Sequence, residues 1–270
     1  MGMGMEVISG HVTAPSTTFT AWTVHTGNSL TIRNSDPTKK IWLLSAWADQ
    51  QAAGVLRVRS PKLHDNVQGL RMDTVISEVY PLLPIGYKQQ LYAQDTLVVE
   101  QTGSATAGDF ESGALLVWYE DLPGQNARLI GYDDLMKKAS NLVTVDCTVT
   151  TTTAGGYTGS VAINSTFDLL KANTDYALVG YLVSAECAVV RWSGVDVGNL
   201  GVGGPGHELN KQLTSEWFTR LARLSGVPTI PVFNSANKAG FTVDCVQDEN
   251  AAAVVVTSIL AEIGPNPTAK

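Results

Sequence analysis

Two of the four histidines lie in a repeated local pattern that could bind a cation. His64 is followed by Asp65, and His207 is followed by Glu208, in each case after a proline and before a helix-like run. The acids could supply oxygen ligands, or they could favour the positive N-terminus of a helix while the histidines pack locally. Because one helical turn supplies few of the roughly six to eight oxygens that Ca²⁺ takes, the pattern favours the second interpretation.

No recognisable catalytic motif accompanies these residues. The histidines have no partner at HxH, HxxxH or HExxH spacing, and the serines lack a GxSxG setting. The glycine-rich segment 198–206 is not followed by Lys-Ser or Lys-Thr, so it does not read as a phosphate loop. It predicts a flexible loop. We therefore expect no enzymatic activity, no cofactor and no bound transition metal.

The His-acid pattern belongs to a longer order that occurs twice. Residues 60–85 and residues 204–232 each contain a proline, the His-acid pair, a helix-like run and a Pro-x-x-Pro-aliphatic ending. The similarity extends to four further pairs of segments: 42–47 with 177–182, 55–57 with 189–191, 97–100 with 241–244, and 114–119 with 254–259. An internal repeat of this length predicts two divergent copies of one domain.

Each copy reads as an all-β sandwich. Short apolar or alternating runs separated by turn residues predict about eight strands per copy. One helix is predicted in each copy, near residues 62–72 and 207–224, and a short connecting helix at 132–138. The predicted organisation is a first domain at 1–124, a linker at 125–141, a second domain at 142–264 and a loose tail at 265–270, since Gly264 and Pro265 are not expected to continue a strand.

Composition narrows the classes of function. The net charge of −7 argues against a general phosphate-binding surface, and sequence-specific nucleic-acid binding is not expected. A content of 44% hydrophobic and 16% charged residues favours a sheet protein with broad buried or partner-covered surfaces. Cys147, Cys187 and Cys245 lie in strand-like runs and are predicted to be buried free thiols. With neither a signal peptide nor an apolar run of about 20 residues, we expect a soluble product of a reducing cytoplasm.

Two tandem eight-stranded sandwiches with inserted helices and no catalytic constellation resemble the double jelly-roll major capsid proteins of tailless icosahedral viruses. The resemblance rests on architecture and on the duplication, and it covers nearly the whole chain. It implies two jelly rolls per chain, pseudo-hexagonal trimers that tile a shell, assembly in the cytoplasm of a bacterial or archaeal host, and localisation in the virion. The implied partners are other copies of the chain, with minor capsid or vertex proteins as further candidates.

Two alternatives belong to other classes of function. One is a carbohydrate-binding or host-attachment protein, such as a spike or fibre head, with Trp192 and loop 198–206 as candidate site. The other is a bicupin-like enzyme, which the missing histidine ligands disfavour. Trp192, next to Arg191 at a predicted strand end, is the best candidate for an exposed contact. Both residues are therefore candidates for an interface between chains.

Overall fold

The computed structural model describes residues 2–63, 66–74, 80–81, 88–151, 153–157, 159–206, 211–247 and 253–265. These residues form a mostly β structure of antiparallel sheets with short α-helices. The all-β prediction is confirmed at this level. Two 3₁₀ turns, Val195–Val197 and Ser235–Gly240, lie in connections of the second half of the chain.

The strands of the first half are β1 (Gly4–Thr13), β2 (Thr20–Ala21), β3 (Thr23–Val24), β4 (Ile41–Asp49), β5 (Gly54–Arg59), β6 (Leu70–Thr74), β7 (Tyr80–Pro81), β8 (Gln89–Leu91), β9 (Val98–Gln101) and β10 (Phe110–Tyr119). The connection contains β11 (Leu129–Ile130) and α1 (Tyr132–Lys138), the latter at the position predicted for a connecting helix. The second half contains β12 (Asn141–Thr150), β13 (Val161–Ala162), β14 (Thr174–Val183), β15 (Cys187–Ser193), β16 (Val202–Gly206), α2 (Lys211–Ser215), α3 (Trp217–Ser225), β17 (Ile230–Asn234), β18 (Thr242–Val246) and β19 (Ala253–Pro265).

The two halves have the same strand order. In the first half, one sheet contains β1, β10, β4 and β8 in that spatial order, and a second sheet contains β2, β9, β5 and β6. In the second half the corresponding orders are β12, β19, β14, β17 and β13, β18, β15, β16. The short strands β3, β7 and β11 extend the edges of these sheets. Apart from these three, each strand of one half therefore has a counterpart in the other.

A β-bulge at the same place in both halves fixes this correspondence residue by residue. Leu43 pairs with Val117 and Ser45 with Leu116, so Leu44 is the extra residue of β4. In β14, Leu178 pairs with Leu260 and Gly180 with Ile259, so Val179 is the extra residue. A bulge adds one residue that has no partner on the neighbouring strand, so the side chains that follow it change from one face of the sheet to the other.

The bulge supports one predicted alignment and corrects another. It makes Leu44 of the first half the counterpart of Val179 of the second half, as the alignment of 42–47 with 177–182 predicts. It also makes Leu116 the counterpart of Ile259, whereas the alignment of 114–119 with 254–259 is offset by three residues and is wrong. Both strands are long apolar runs without an internal marker, so their sequences alone do not define the register.

The helices of the second half follow β16 and precede β17. The predicted helix at 207–224 is confirmed over α2 and α3, with residues 207–210 outside the described part, and Gly226 ends it in a left-handed conformation at φ 68°. The predicted helix at 62–72 is wrong at its C-terminal end, because Leu70–Thr74 is strand β6 and pairs with β5. Leu70, Met72 and Thr74 alternate with exposed Arg71 and Asp73, which is strand periodicity.

Two further expectations about glycine-rich segments are wrong. Val202–Gly206, within the predicted loop 198–206, is a buried strand that pairs with β15. A Cβ on Gly203 would lie 2.1 Å from the carbonyl oxygen of Val190, so glycine permits this close approach of the backbones. Strand β19 also continues through Gly264 and Pro265, which pair with Asp175 and Thr174 of β14 at the C-terminal end of the strand.

The core of the first half lies between its two sheets, and the other face of one sheet packs against the second half. Ile8, Leu115 and Val117 point into the first core. Their neighbours Val7, Leu116 and Trp118 point the opposite way and join the cluster that contains the second core. Side chains alternate between the faces of a strand, so the continuous burial of β10 reflects coverage on both faces.

Candidate functional site

The four residues of the repeated His-acid pattern, for which cation binding was the less favoured interpretation, lie outside the described residues: His64, Asp65, His207 and Glu208. Within the part of the chain that the structure describes, no three His, Cys, Asp or Glu side chains are grouped so as to hold a metal ion.

The other two histidines meet in a buried polar cluster between the halves of the chain. Pairing of β1 with β3 sets Gly10 opposite Val24, and the amide of His25 then donates to the carbonyl of Ser9 at 3.0 Å. The ring nitrogens His11 Nδ1 and His25 Nε2 are 3.2 Å apart. Segment 25–29 consists of residue types common in turns, but its sequence does not indicate which strand it pairs with.

Ser9 is the centre of this cluster. Its hydroxyl shares hydrogen bonds with His25 Nδ1 at 2.9 Å and with the hydroxyl of Tyr157 at 2.8 Å, and it accepts one from Asn28 Nδ2 at 3.1 Å. Tyr157 belongs to the second half, so the hydroxyl joins the two halves. A hydrogen bond between serine and histidine is also the arrangement by which a catalytic base activates a serine nucleophile. Here Ser9 is completely buried and the second partner of His25 is an imidazole, so the geometry gives a substrate no access.

Burial determines the charge state of the two histidines. Desolvation, with smaller contributions from the charges of His11 and Arg191, lowers the pKa of His25 to about 3, and a hydrogen bond to the Gly155 backbone acts in the opposite direction. Desolvation also lowers the pKa of His11. Both rings are therefore neutral at neutral pH, which suits a contact surface that excludes water.

An arginine completes the cluster on the side of the second half. Arg191 donates from Nε to Asp244 Oδ1 at 2.9 Å and from Nη2 to Oδ2 at 2.6 Å. Its guanidinium lies 3.5 Å from the ring centroid of Tyr157. Such a two-bond pair fixes the plane of the guanidinium, and the ring adds a cation–π contact.

The first half repeats this arrangement at the corresponding positions. Arg57 donates from Nε to Glu100 Oε2 at 2.8 Å, and its guanidinium lies 3.7 Å from the ring centroid of Phe19. Arg57 pairs with Glu100 in the register of β5 and β9, as Arg191 pairs with Asp244 in β15 and β18. The two pairs are about equally enclosed, with side chains 14% and 10% exposed in the first half and 15% and 4% exposed in the second. The pair of the second half lies beside His25 of the first half.

The expectation that Trp192 is an exposed contact residue is wrong. Its side chain has no exposed surface, and its indole nitrogen donates to Ser258 Oγ at 3.1 Å. The ring packs against Tyr181 and Phe218, at centroid distances of 4.8 and 6.0 Å. Strand β15 is covered on both faces, so even a residue next to a strand end is enclosed. Arg191 does lie at an interface, but between the halves of one chain.

The three cysteines are buried free thiols, as predicted. Burial raises the pKa of Cys147 to about 12. A hydrogen bond with Cys187, together with burial, raises the pKa of Cys245. Cys147 and Cys245 are therefore poor nucleophiles and poor metal ligands, because both functions need the thiolate.

Different sheets of the two halves face each other. The first half contributes the outer face of β1, β4 and β10, and the second contributes β15 and β16. Trp47 donates from Nε1 to the carbonyl of Ala188 at 2.7 Å and packs edge-on against Trp217. The amide of Val7 donates to the carbonyl of Gly201 at 2.7 Å. The contact is therefore heterologous, joining two unlike surfaces.

Each surface in the contact between the halves has a counterpart in the other half of the chain. The two counterparts are not covered by that contact. The outer face of β5, β6 and β9 corresponds to the covered face of the second half, and the outer face of β12 and β19 corresponds to the covered face of the first half. On the latter, Leu142 is 66% exposed and Val255 is 37% exposed. Strand β12 is also the edge of its sheet, with no neighbouring strand on its outer side among the described residues.

No helix within the described residues combines the length and the apolar character needed to cross a membrane.

Comparison with known proteins gives no family assignment. No family model matches the chain, and no curated protein matches it significantly. Among solved structures, the PBSX exported protein XepA is 10% identical with a TM-score of 0.28, covering 94% of this chain and 86% of that one. A chain of Sulfolobus Turreted Icosahedral Virus is 8% identical with a TM-score of 0.24, covering 97% and 80%. A chain of an archaeal virus described by its triple jelly roll fold and turret assembly is 6% identical with a TM-score of 0.23, covering 98% and 80%. Similarity at these values supports neither a detailed fold assignment nor a function.

Proposed function

We propose that this chain is a major capsid protein, made of two tandem jelly rolls, which assembles as pseudo-hexagonal trimers into an icosahedral shell. The observation that carries the proposal is the duplicated strand order. With the eight principal strands of each half numbered along the chain, one sheet has the order 1-8-3-6 and the other 2-7-4-5. Eight strands in two antiparallel sheets with long crossovers are the organisation of a jelly roll. The proposed domains are residues 1–124 and 142–264, joined by 125–141. Of the predicted tail 265–270, Pro265 is the last residue of β19.

The contact between the halves supports the threefold assembly. A heterologous contact leaves one unused surface of each type at opposite ends of the chain, and such contacts close into a ring when the rotation permits. Three chains of two similar domains would form a ring of six similar units, each contacting its neighbours through the same pair of sheets. The exposed Leu142 and Val255 lie on one of the unused surfaces.

The proposed role is structural and not enzymatic. Ser9 and His25, which come nearest to a catalytic pair, are buried between the halves and bond to residues of both. Their surroundings suit a permanent contact. In this proposal the partners are other copies of the chain and neighbouring trimers, with minor capsid or vertex proteins as further candidates. The protein would reside in the virion after assembly in the host cytoplasm.

The two features that suggested a carbohydrate-binding or host-attachment protein, Trp192 and loop 198–206, are not available for binding. Trp192 is enclosed in the second core, and Val202–Gly206 is a buried strand. Neither can present a stacking surface to a sugar.

Native mass spectrometry across a concentration series, followed by negative-stain imaging, tests the proposal. We expect trimers with a six-sided outline that grow into sheets or shells at high protein concentration. A chain that stays monomeric at all concentrations, or a dimer without a threefold axis, contradicts the proposal. A discrete oligomer that never grows but binds glycans on an array would favour the attachment protein.

A further inference from the structure

The contact between the two halves predicts the residues of the contact between two chains. The bulges at Leu44 and Val179 make Ala114 the counterpart of Thr257. Ala114 pairs with Ser9, and Thr257 pairs with Asp146. Asp146 is therefore the second-half counterpart of Ser9, the residue at the centre of the contact within the chain.

The surface that Ser9 contacts has its own counterpart in the first half. Ser9 bonds to Tyr157, whose ring lies against Arg191. At the corresponding place in the first half, Phe19 lies against Arg57, and Arg71 lies on the same ring at 5.5 Å from its centroid. If the two contacts share one geometry, Asp146 of one chain meets Phe19, Arg57 and Arg71 of another.

The residues that differ between the two pairs of surfaces differ in a chemically matched way. Within the chain, a serine hydroxyl bonds to a tyrosine hydroxyl. In the other pair of surfaces the tyrosine is replaced by Phe19, which offers no hydroxyl, and the serine is replaced by Asp146, which carries a charge. The arginines take over as donors, because guanidinium and carboxylate form strong paired hydrogen bonds.

Neither charged partner is neutralised by a residue that the structure describes. Among the described residues, Asp146 has no ion-pair partner, and the same holds for the exposed Arg71. The outer face of β5, β6 and β9 carries Arg57, Arg59 and Arg71 against Asp73 and Glu100, an excess of one positive charge. Phe19, Val55 and Arg71 also line a shallow depression of about 530 Å³ on this face, which could receive side chains of a partner.

We propose that the outer face of β12 and β19 docks on the outer face of β5, β6 and β9 of a second copy, with Asp146 paired to Arg71 beside Arg57. This contact rests on the proposed self-assembly and specifies which surfaces perform it. Thr144 and Thr148, exposed on either side of Asp146, surround the ion pair, and Leu142 supplies apolar area near one end of β12. Charge complementarity of this kind fixes register and excludes wrong pairings.

Charge exchange between Asp146 and Arg71 tests the contact. The variants are Asp146→Arg, Arg71→Asp and the double variant carrying both, compared by sedimentation and native mass spectrometry across a concentration series. Each single variant should raise the apparent dissociation constant of the trimer by about tenfold or more, because like charges then face each other. The double variant should recover most of the affinity. Circular dichroism and the thermal midpoint of each monomer establish that folding is retained.

Asp168→Arg is the matched control. Asp168 is an exposed carboxylate outside both surfaces. Its reversal breaks a partly exposed ion pair with Lys238 and sets two positive charges together away from the contact, so trimer affinity should not change. Single variants with wild-type affinity overturn the proposed contact while leaving the trimer, and so the proposed function, intact. Single losses that the double variant does not recover overturn the pairing of Asp146 with Arg71. A wild-type chain that never forms trimers overturns the contact and the proposed function together.

Discussion

Arg191 and Asp244 form a two-bond ion pair between neighbouring strands, with the ring of Tyr157 on the guanidinium. The arginine and aspartate side chains are only 15% and 4% exposed, so the pair lies in surroundings of low dielectric constant. Removing one member of such a pair leaves the other charge buried without compensation. The pair thus helps to hold both the second sheet and the contact between the halves.

We expect Asp244→Asn to lower the free energy of unfolding by about 3 kcal/mol, because the buried guanidinium of Arg191 loses its counter-charge. Urea unfolding at neutral pH measures the change. Asp168→Asn is the control, since its ion pair with Lys238 is more exposed and should contribute less than about 1 kcal/mol. Equal small effects of the two substitutions would show that the Arg191 pair contributes no more than a surface pair.

The burial of His25 predicts a specific loss of stability in acid. Its pKa is about 3 in the folded chain and near 6.5 when unfolded, so below pH 6.5 the unfolded state binds a proton that the folded state does not. The contribution of the neutral ring is fully present above pH 6.5 and is lost as the pH falls toward 3. The slope is about 1.4 kcal/mol per pH unit within that window.

His25→Gln isolates this contribution, because the other titrating groups are shared with the wild type. The unfolding free energy of both proteins is measured between pH 4 and pH 7. The wild-type curve should fall more steeply below pH 6.5, and the difference between the curves should be flat above it. Parallel curves throughout would show that His25 is solvated enough to titrate normally in the folded chain.

The sequence predicted the repeat better than it predicted the elements within it. Segments 42–47 and 177–182 align at the bulges, and Arg57 and Arg191 occupy corresponding strands. The match of 55–57 with 189–191 was detectable because each segment couples an apolar run to an arginine. The last strands of the halves have no such residue, so their alignment was offset by three.

The contact between the halves could not be predicted because it depends on tertiary pairing. Ser9 and Tyr157 are 148 positions apart, and neither belongs to a recognisable motif. Trp192 illustrates the same limit. A tryptophan next to an arginine at a strand end is a reasonable surface contact in one sandwich, but here a second sandwich covers that strand.

The burial of the three cysteines predicts that they resist modification in the folded chain. At pH 8 the thiols of Cys147 and Cys245 remain protonated, because burial, with hydrogen bonding at Cys245, raises their pKa values. A small thiol reagent should label no cysteine over minutes in native buffer and all three after denaturation in guanidinium chloride, counted by intact-mass measurement. Rapid native labelling of one site would show that the second core opens locally on that time scale.

Trp192 and Leu142 should separate folding from assembly. Trp192→Ala removes a completely buried ring and leaves Ser258 without its donor, so the free energy of unfolding should fall by about 3–5 kcal/mol. Leu142→Ala, by contrast, changes a side chain that is 66% exposed, so the free energy of unfolding of the monomer should change by less than about 0.5 kcal/mol. The same variant should weaken the trimer several-fold if β12 is an assembly surface, because it removes apolar area from the contact between chains. Urea unfolding of the monomer and sedimentation at increasing concentration measure the two effects. A Trp192→Ala chain that is as stable as the wild type but fails to assemble would restore Trp192 as a contact between chains.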